Sequence, residues 1–245
     1  MSKVIGIDLG TTFSAIASLD DLGNPEVLAS IEDNRKITAS AIYINGNNVT
    51  VGDKALNHIK EEPKKVVLQT KREMENDVVY SVDHGKWTDD KDLVDAYTPA
   101  QVSSLILKKL KDYTTDVKKA VITVPAMFAE KARQATLDAA KLADLEVIEL
   151  INEPTAAVLH YASLPGVEVG GRVMIFDLGG GTFDVTFAEV KNKKVDVLTS
   201  RGDKYLGGRD FDKEITKLMK KKYHDVHKVD IDIENKKEYL QKAEE

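Results

Sequence analysis

The chain opens with a pattern of apolar residues that is typical of β-strands. Val4–Leu9 is apolar and contains β-branched residues, and along Phe13–Leu19 apolar side chains occupy alternate positions. The turn-forming cluster Asp20–Pro25 separates this pair from a third predicted strand, Val27–Ile31. The beginning of the chain is therefore predicted to form three sequential strands joined by tight turns.

The region that follows is more polar and contains one well-marked helix start. Residues 41–52 predict short strands around the hairpin-like turn Asn45–Asn48, and residues 53–92 predict a helical and irregular insertion. Thr98 then supplies an N-cap hydroxyl, a proline occupies the first helical position, and Gln101 stands three residues after the cap. This capping box, followed by an apolar stripe of helical period, predicts a helix.

Strands and helices alternate through the middle of the chain. The predicted elements are the strand Ala120–Val124, the helix Ala129–Asp144, the strand Glu146–Ile151 and the helix Pro154–Ser163. This order predicts an α/β layer with a mixed sheet. Pro165, Gly166, Gly170 and Gly171 mark a boundary, after which strands begin again. The second set comprises the strands Val173–Phe176, Phe183–Val190 and Val195–Ser200, a helix at about Arg209–Lys222, and a polar helix from about Ile233 to the end.

A repeat relates these two sets of strands. Residues 5–13 read Ile-Gly-Ile-Asp-Leu-Gly-Thr-Thr-Phe, and residues 174–183 read Met-Ile-Phe-Asp-Leu-Gly-Gly-Gly-Thr-Phe. Each copy has an apolar strand, Asp-Leu-Gly, small or hydroxyl residues, and a phenylalanine that opens a second strand. Two copies at this large separation indicate a duplicated structural unit rather than a solenoid, whose period is much shorter.

The turn in each copy suits phosphate binding. Glycine and threonine let backbone N–H groups converge on an anion without obstruction, and threonine hydroxyls add donors. Asp8 and Asp177, at the ends of the preceding strands, are suited to hold Mg²⁺ through water. Two such turns facing each other would clamp a polyphosphate with its metal. Each turn leads into a strand, unlike the glycine-rich loop of a P-loop or dinucleotide fold, which opens a helix. Either turn alone is also compatible with a simple hairpin.

Composition and charge exclude several kinds of chemistry. The chain has no cysteine, which excludes disulfides, thiolate metal sites and a cysteine nucleophile, and favours a reducing compartment. The net charge of −6 argues against a nucleic-acid partner. Lys3 leads directly into an apolar strand and no apolar run approaches membrane-spanning length. We therefore expect a cytoplasmic protein without a signal peptide or a membrane partner.

Five longer motifs stand in a definite order along the chain. They are Gly6–Thr12, Ala120–Ala126, Ile151–Ala157, Asp177–Val185 and Leu206–Gly208. Together they resemble the nucleotide-binding domain of the 70-kilodalton heat-shock (DnaK-type) chaperones, and the resemblance covers nearly the whole chain. It implies the actin- and hexokinase-like ATPase fold, an α/β fold built from duplicated ribonuclease H-like units. Sugar kinases and filament-forming relatives of actin share the phosphate loops but not the Asn-Glu-Pro-Thr-Ala-Ala run.

The resemblance implies roles for individual residues, with ATP or ADP, Mg²⁺ and K⁺ as bound groups. Lys71 would lie against the β- and γ-phosphates and the attacking water, and Glu153 would position or polarise that water. Asp184 would hold a water near the γ-phosphate, and Thr182 would be a further catalytic residue. The remaining implied contacts are Asp8 and Asp177 for the metal shell, Gly10, Thr11, Thr12 and Phe13 in the first phosphate loop, and Gly179, Gly180, Gly181, Thr182 and Gly208 in the second.

The resemblance also implies communication with other domains and proteins. Pro125 and Arg133 match a relay that reports nucleotide state to a peptide-binding domain. Read without the resemblance, Pro125 ends a strand and Arg133 lies on a helix. The implied partners are J-domain co-chaperones and nucleotide exchange factors, whereas unfolded peptides would bind only through the C-terminal domain, which this sequence does not contain.

Three segments depart from the family pattern. Residues 38–40 are Thr-Ala-Ser where the family usually has Thr-Pro-Ser, and Tyr205 stands where it usually has histidine. Residues 73–76 are Glu-Met-Glu-Asn where the family tends to have an apolar pair and glycine. These differences indicate a divergent member, and they leave the two phosphate loops unchanged.

The expected domain organisation is a complete first lobe and an incomplete second one. The predicted divisions are lobe I at residues 1–168, with its core at about 1–37 and 95–168 and an inserted subdomain at about 38–94, and lobe II at residues 169–245, with core strands at about 171–205 and a helical subdomain from about 206. Because the chain stops inside the polar stretch Lys236–Glu245 without a helix cap, we expect a fragment of a longer chain.

The expected function is an ATP-binding and hydrolysing module of a chaperone, which couples nucleotide state to peptide binding. The alternatives are a nucleotide-binding fragment without turnover and another actin-fold ATPase, either a sugar kinase or a filament protein.

Overall fold

The structure, a computed structural model, describes residues 3–164, 166–167, 170–191 and 194–233, together with 237, 239 and 242. The predicted boundary residue Pro165 and nearly all of the last predicted helix lie outside the described residues. We call residues 3–164 the N-terminal half and residues 170–233 the C-terminal half, because each contains its own main sheet.

Short elements dominate the N-terminal half. In chain order they are β1 (Lys3–Asp8), β2 (Phe13–Leu19), β3 (Pro25–Val27), β4 (Thr38–Ala39), β5 (Ile42–Asn45), β6 (Asn48–Val51), α1 (Asp53–Leu56), β7 (Val66–Val67), β8 (Val79–Ser81), β9 (Lys86–Thr88), β10 (Ala96–Tyr97), α2 (Pro99–Lys111), β11 (Val117–Val124), α3 (Glu130–Leu142), β12 (Glu146–Asn152) and α4 (Glu153–Ser163), with 3₁₀ helices at Pro63–Lys65 and Thr70–Glu73. The C-terminal half contains β13 (Gly171–Leu178), β14 (Phe183–Lys191), β15 (Lys194–Asp203) and α5 (Gly208–His227).

A mixed sheet forms the centre of the N-terminal half, as the alternation of elements predicted. Its order is β12-β11-β1-β2-β3, with parallel pairing from β12 to β1 and antiparallel pairing from β1 to β3. Alternate residues of β1 and β11, such as Ile5 and Ile122, are fully buried. The apolar stripe of α2, including Leu107 and Leu110, packs in the same core cluster. The capping box at Thr98 is present, since the Thr98 side chain accepts a hydrogen bond from the Gln101 backbone N–H.

Two predictions for the N-terminal half are wrong in part. The third strand ends at Val27, because residues 28–31 turn back: the Ser30 N–H donates to Arg35 O and the Asn34 N–H to Ser30 O. Residues 53–92 form one helix of only four residues, two 3₁₀ turns and short strands in two small sheets. Val66, Val67 and Val79 of these strands are buried, Val67 in the main core cluster and Val66 in a smaller one, and the polar residues between them obscure the pattern.

The C-terminal half begins with the predicted second copy of the repeat. Strands β13, β14 and β15 form an antiparallel sheet. At several ends these strands are one to three residues longer than predicted. Helix α5 is longer than predicted and ends at His227. Met174, Phe176 and Leu178 are exposed along one face of β13. The C-terminal half therefore repeats the pair of strands that opens the N-terminal half. Within the described residues, one face of its sheet is left uncovered.

Candidate functional site

The two turns of the repeat meet at the junction of the halves. A Cβ atom added to Gly180 would overlap the Thr12 hydroxyl, and one added to Gly181 would lie 2.5 Å from Thr11 Cγ2. Glycine is required at these positions because only a residue without a side chain permits such close approach. The turn between β1 and β2 thus lies directly against the turn between β13 and β14.

Serine hydroxyls hold the first turn in shape. The Gly10 N–H donates to Ser14 Oγ at 3.1 Å, and the Ser40 hydroxyl donates to Gly10 O at 2.8 Å. The two hydroxyl oxygens are 2.9 Å apart, and the Ser40 N–H donates to Thr12 O at 2.8 Å. Both serines are buried. Neither serine was predicted as part of the site, because nothing in the local sequence distinguishes a serine that supports a turn from an exposed one.

Helix α5 supports the second turn. The Gly179 N–H donates to Thr182 O at 3.0 Å, which closes the turn, and the Gly208 N–H donates to Gly179 O at 3.0 Å. The Arg209 N–H donates to Gly180 O at 3.1 Å. Gly208 was expected among the ligand contacts, but its N–H is used to hold the turn. A contact between Gly208 and a ligand stays a prediction.

Lys71 and Glu153 form a buried ion pair beside the turns. Gln69 has a left-handed backbone (φ 61°) and starts the 3₁₀ turn that carries Lys71. The Lys71 ammonium donates to Glu153 Oε1, and the two side chains are 8% and 14% exposed. Burial raises the pKa of Glu153 above its ordinary value, and the charges of Asp8 and Asp177 raise it further, although Lys71 opposes both effects. The structure thus brings Lys71 and Glu153 together from distant parts of the chain.

Three aspartates complete the charged wall. Asp177 and Asp184 are direct cross-strand partners in β13 and β14, and Asp8 accepts a hydrogen bond of 2.9 Å from the Thr123 hydroxyl. Burial raises the pKa of both Asp177 and Asp184, and the charge of a neighbouring aspartate adds to the effect in each case. Asp184 is 2% exposed, and its Oδ1 atom is buried without a hydrogen-bond partner. An unpaired buried carboxylate oxygen of this kind is energetically unfavourable unless a ligand or water satisfies it.

The carboxylates do not form an all-protein metal cage. Among the described residues, no group of three His, Cys, Asp or Glu side chains is arranged to hold a metal ion. Asp8 and Asp177 nevertheless line one cleft with Thr11, Thr12 and Lys71. Such an arrangement fits a hydrated Mg²⁺, which keeps several waters and is bound by one or two carboxylates together with substrate phosphates.

Arg72 ties the second turn to the N-terminal half. Its Nε–H donates to Gly181 O at 2.8 Å, and its terminal nitrogens donate to both carboxylate oxygens of Asp210, one of them at 3.3 Å. Asp210 also accepts the Gly207 N–H at 3.0 Å at the start of α5. Burial raises the pKa of Asp210, but the hydrogen bonds and charge of Arg72, with help from Lys213, outweigh it and lower the pKa. This role of Arg72 was not predicted, because a Lys-Arg pair in a polar segment looks like surface charge.

Arg133 is linked to Glu153 through one intermediate residue, Asn152. Pro125 follows the end of β11, and Arg133 lies on α3, as predicted. Arg133 donates from Nε to Phe128 O at 3.0 Å and from Nη2 to Asn152 Oδ1 at 2.7 Å. Asn152 precedes Glu153 at the start of α4. The arginine therefore contacts the residue next to the buried carboxylate.

The charged groups open into a cleft of about 940 Å³. Its lining includes the polar residues Asp8, Thr11, Thr12, Lys71, Glu153, Asp177 and Thr182, and the backbone of Gly10, Gly179 and Gly180. Phe13, which is 40% exposed, also lines it. The cleft is large enough for a ligand the size of a nucleotide, whose typical pocket is roughly 300–1,000 Å³.

A duplicated strand–turn–strand unit, with an aspartate at each turn and the two turns in contact, belongs to the actin- and hexokinase-like class of ATPase folds. The chain is a member of the family described as Hsp70 protein, whose model matches residues 4–245. It is 37% identical over 236 residues to the chaperone protein DnaK of Thermotoga petrophila and of Thermotoga maritima, and the match covers 93% of this chain. The DnaK protein of Thermotoga neapolitana matches with the same identity and coverage. The chain spans 37% of the length of these relatives. In the part of the chain that the structure describes, every helix is too short or too polar to cross a membrane.

Proposed function

We propose that the chain binds Mg-ATP and Mg-ADP and is the nucleotide-hydrolysing module of a chaperone. The observation that carries this proposal is the meeting of the two glycine-rich turns beside the buried Lys71–Glu153 pair. Phosphoryl transfer depends mainly on positioning and charge neutralisation, and this junction offers backbone donors, hydroxyls, a lysine and carboxylates in one cleft.

The two turns would hold the phosphates from opposite sides. Gly10, Thr11, Thr12 and Phe13 would form the first phosphate-binding loop. Gly179, Gly180, Gly181 and Thr182 would form the second together with Gly208, whose N–H also donates to Gly179 O. Backbone N–H groups in such glycine-rich turns bind anions well because they converge without side-chain obstruction. The Thr11 and Thr12 hydroxyls would add donors.

Asp8 and Asp177 would hold a hydrated Mg²⁺, and K⁺ would share this carboxylate shell. When bound, the metal neutralises phosphate charge and fixes the position of the phosphate oxygens. Fewer than three carboxylates are needed for this role, since phosphates and waters supply the remaining ligands. This role in metal binding would explain why each copy of the repeat has an aspartate at the end of its first strand.

Lys71 and Glu153 would act at the reacting centre. Lys71 would donate to the phosphates and stabilise the charge that develops in the transition state. Glu153, whose pKa is raised by burial, would orient the attacking water and accept a hydrogen bond from it. Thr182 would donate through its hydroxyl, and the unpaired Asp184 oxygen would accept from a second water near the γ-phosphate.

The chaperone role would require further domains and partners. We infer a lobe I of residues 1–168, with the insertion at 38–94, and the first part of a lobe II from residue 169. Pro125 and Arg133 would report nucleotide state to a peptide-binding domain, because Arg133 contacts the residue beside Glu153. J-domain co-chaperones and nucleotide exchange factors are the partners we expect for the whole protein. A cytoplasmic location agrees with a chain that has no cysteine.

The test is calorimetric titration of the chain with Mg-ADP and Mg-ATP, followed by single-turnover phosphate release. Asp177→Ala should weaken binding at least tenfold, whereas Lys71→Ala should retain binding and lose phosphate release. Binding without release would support a nucleotide-binding module without turnover. A folded chain that binds neither nucleotide would refute the proposal. Sugar-dependent ATP consumption or ATP-dependent polymers would favour another ATPase of this fold.

A further inference from the structure

Glu75 connects the two halves at a point where the sequence departs from the family pattern. It lies in the 73–76 segment, where the family tends to have an apolar pair and glycine. Its Oε1 atom accepts the Ala129 N–H at 3.3 Å, and its Oε2 atom accepts from the Lys204 ammonium. The Glu75 and Lys204 side chains are 22% and 51% exposed. One carboxylate therefore contacts the N-terminal half with one oxygen and the C-terminal half with the other.

Each contact of Glu75 has a clear local cause. Ala129 is the N-cap residue of α3, and by accepting its backbone N–H the Glu75 carboxylate places a negative charge at the positive, N-terminal end of the helix. Lys204 directly follows β15, beside Gly202, where an added Cβ atom would lie 2.9 Å from Met127 Sδ. The halves are thus in close contact next to the ion pair. We call Glu75, Ala129 and Lys204 the Glu75 bridge.

The Glu75 bridge leads back to the reacting centre through consecutive contacts. Phe128, which precedes the N-cap of α3, accepts a hydrogen bond from Arg133, and Arg133 donates to Asn152. Asn152 precedes Glu153, which pairs with Lys71. Lys71 lies four positions before Glu75 on the same chain segment. These contacts, together with the chain between Lys71 and Glu75, form a closed circuit within the N-terminal half, and Glu75 joins it to the C-terminal half through Lys204.

We propose that Glu75 is a positioning residue that couples the start of α3 to the approach of the two halves around the nucleotide. When the halves separate, the ion pair with Lys204 breaks, and Glu75 is free to change its contact with α3. The proposal deepens the proposed function and rests on it for the identity of the ligand. It assigns control over the approach of the two halves to Glu75, a residue at which this chain departs from the family pattern.

The ion pair is suited to a reversible role. Lys204 is half exposed, so its attraction to Glu75 is partly screened by salt and should change the closed population only about two- to five-fold. The hydrogen bond from Lys204 lowers the pKa of Glu75 despite partial burial, so the carboxylate is charged at neutral pH. A contact of this strength favours closure without locking it.

Closure can be measured directly because the chain has no cysteine. Lys141→Cys and Lys221→Cys place single labelling sites at the exposed end of α3 and on exposed α5. Energy transfer between the two dyes then reports on the approach of α3 and the C-terminal half, with and without Mg-ADP. The measurement without nucleotide tests the bridge independently of any binding.

Five variants of this labelled chain, one of them a control, test the proposal. Glu75→Gln and Lys204→Gln should each lower energy transfer and weaken Mg-ADP affinity about two- to five-fold, and the double variant should be no worse than either single one. High salt should produce the same change in the wild type but not in these variants. Lys204→Arg should retain the wild-type values. Glu73→Gln is the matched control, because the Glu73 carboxylate accepts its hydrogen bond from Asn76, three residues away in the N-terminal half.

Additive effects in the double variant, or unchanged energy transfer in Lys204→Gln, would overturn the proposal. A wild-type chain that fails to bind nucleotide, yet whose energy transfer still falls in Lys204→Gln, would refute the proposed function and leave the Glu75 bridge standing. Normal nucleotide binding, with energy transfer unchanged in both Glu75→Gln and Lys204→Gln, would refute the role of the Glu75 bridge and leave the proposed function standing.

Discussion

Arg72→Lys is the sharpest perturbation of the junction between the two turns. The Arg72 side chain is 6% exposed and makes one hydrogen bond to Gly181 O and two to the Asp210 carboxylate. Lysine keeps the positive charge but has one compact ammonium in place of a planar fork. A lysine at this position can therefore satisfy Asp210 or Gly181, but it cannot reproduce the three-bond arrangement.

The expected loss follows from these contacts. A hydrogen bond to a charged group contributes about 1.5–3 kcal/mol. A buried acceptor that is left without a hydrogen-bond partner adds a desolvation penalty. If lysine retains one of the bonds to Asp210, we expect the free energy of unfolding to fall by about 2–3 kcal/mol. Because Gly181 belongs to the second turn, Mg-ADP affinity should also fall about tenfold, which corresponds to about 1.4 kcal/mol.

Urea denaturation and calorimetry measure the two effects separately. Arg35→Lys is the matched control, since Arg35 also pairs with an aspartate, Asp53, but their side chains are 44% and 35% exposed. Exposed ion pairs contribute little, so this control should change the free energy of unfolding by less than about 0.5 kcal/mol. Equal effects of the two substitutions would show that the buried fork does not stabilise the junction.

Three further outcomes are expected from the same geometry. Gly180→Ala should weaken Mg-ADP binding at least tenfold in calorimetry, because its methyl group would force the turns apart, while Gly170→Ala, with no heavy atom within 4 Å, should not. The raised pKa values of Asp177 and Asp184 mean that the native chain binds more protons than the unfolded chain above about pH 4. Stability in thermal melts should therefore fall as pH rises through the raised pKa values, and Asp177→Asn should flatten this slope. Thr98→Ala should lower the free energy of unfolding in urea by about 1 kcal/mol through loss of the N-cap.

Local signals explain which parts of the fold could be predicted. The limits of β2 agree with the prediction, and α2 starts after the predicted cap, because strand alternation and a capping box are encoded in neighbouring residues. The prediction was poorest in residues 53–92, where strands of two or three residues are held by tertiary contacts. A strand as short as Val66–Val67 has no period to detect, and its pairing with β5 is decided by packing.

The candidate site shows the same division between local and long-range information. The glycine turns and Asp8 and Asp177 are visible in the repeat, because their chemistry and spacing occur twice. Arg72 and Ser40 were not predicted as parts of the site, since each acts on a turn that is distant in the sequence. A charge or a hydroxyl becomes informative only when its partner is known.

The segment that follows Gln69 explains how one turn can serve several parts of the molecule. Lys71 reaches the start of α4, Arg72 reaches the second glycine turn, and Glu75 reaches both α3 and the C-terminal half. The 3₁₀ turn is Thr70–Glu73, and Glu75 follows it. Adjacent residues of such a tight turn point in different directions, so neighbouring side chains can contact different elements. Movement of this turn would therefore change the position of Lys71, the second turn and α3 together. A nucleotide that draws the two turns onto its phosphates would act on all three contacts through this one segment.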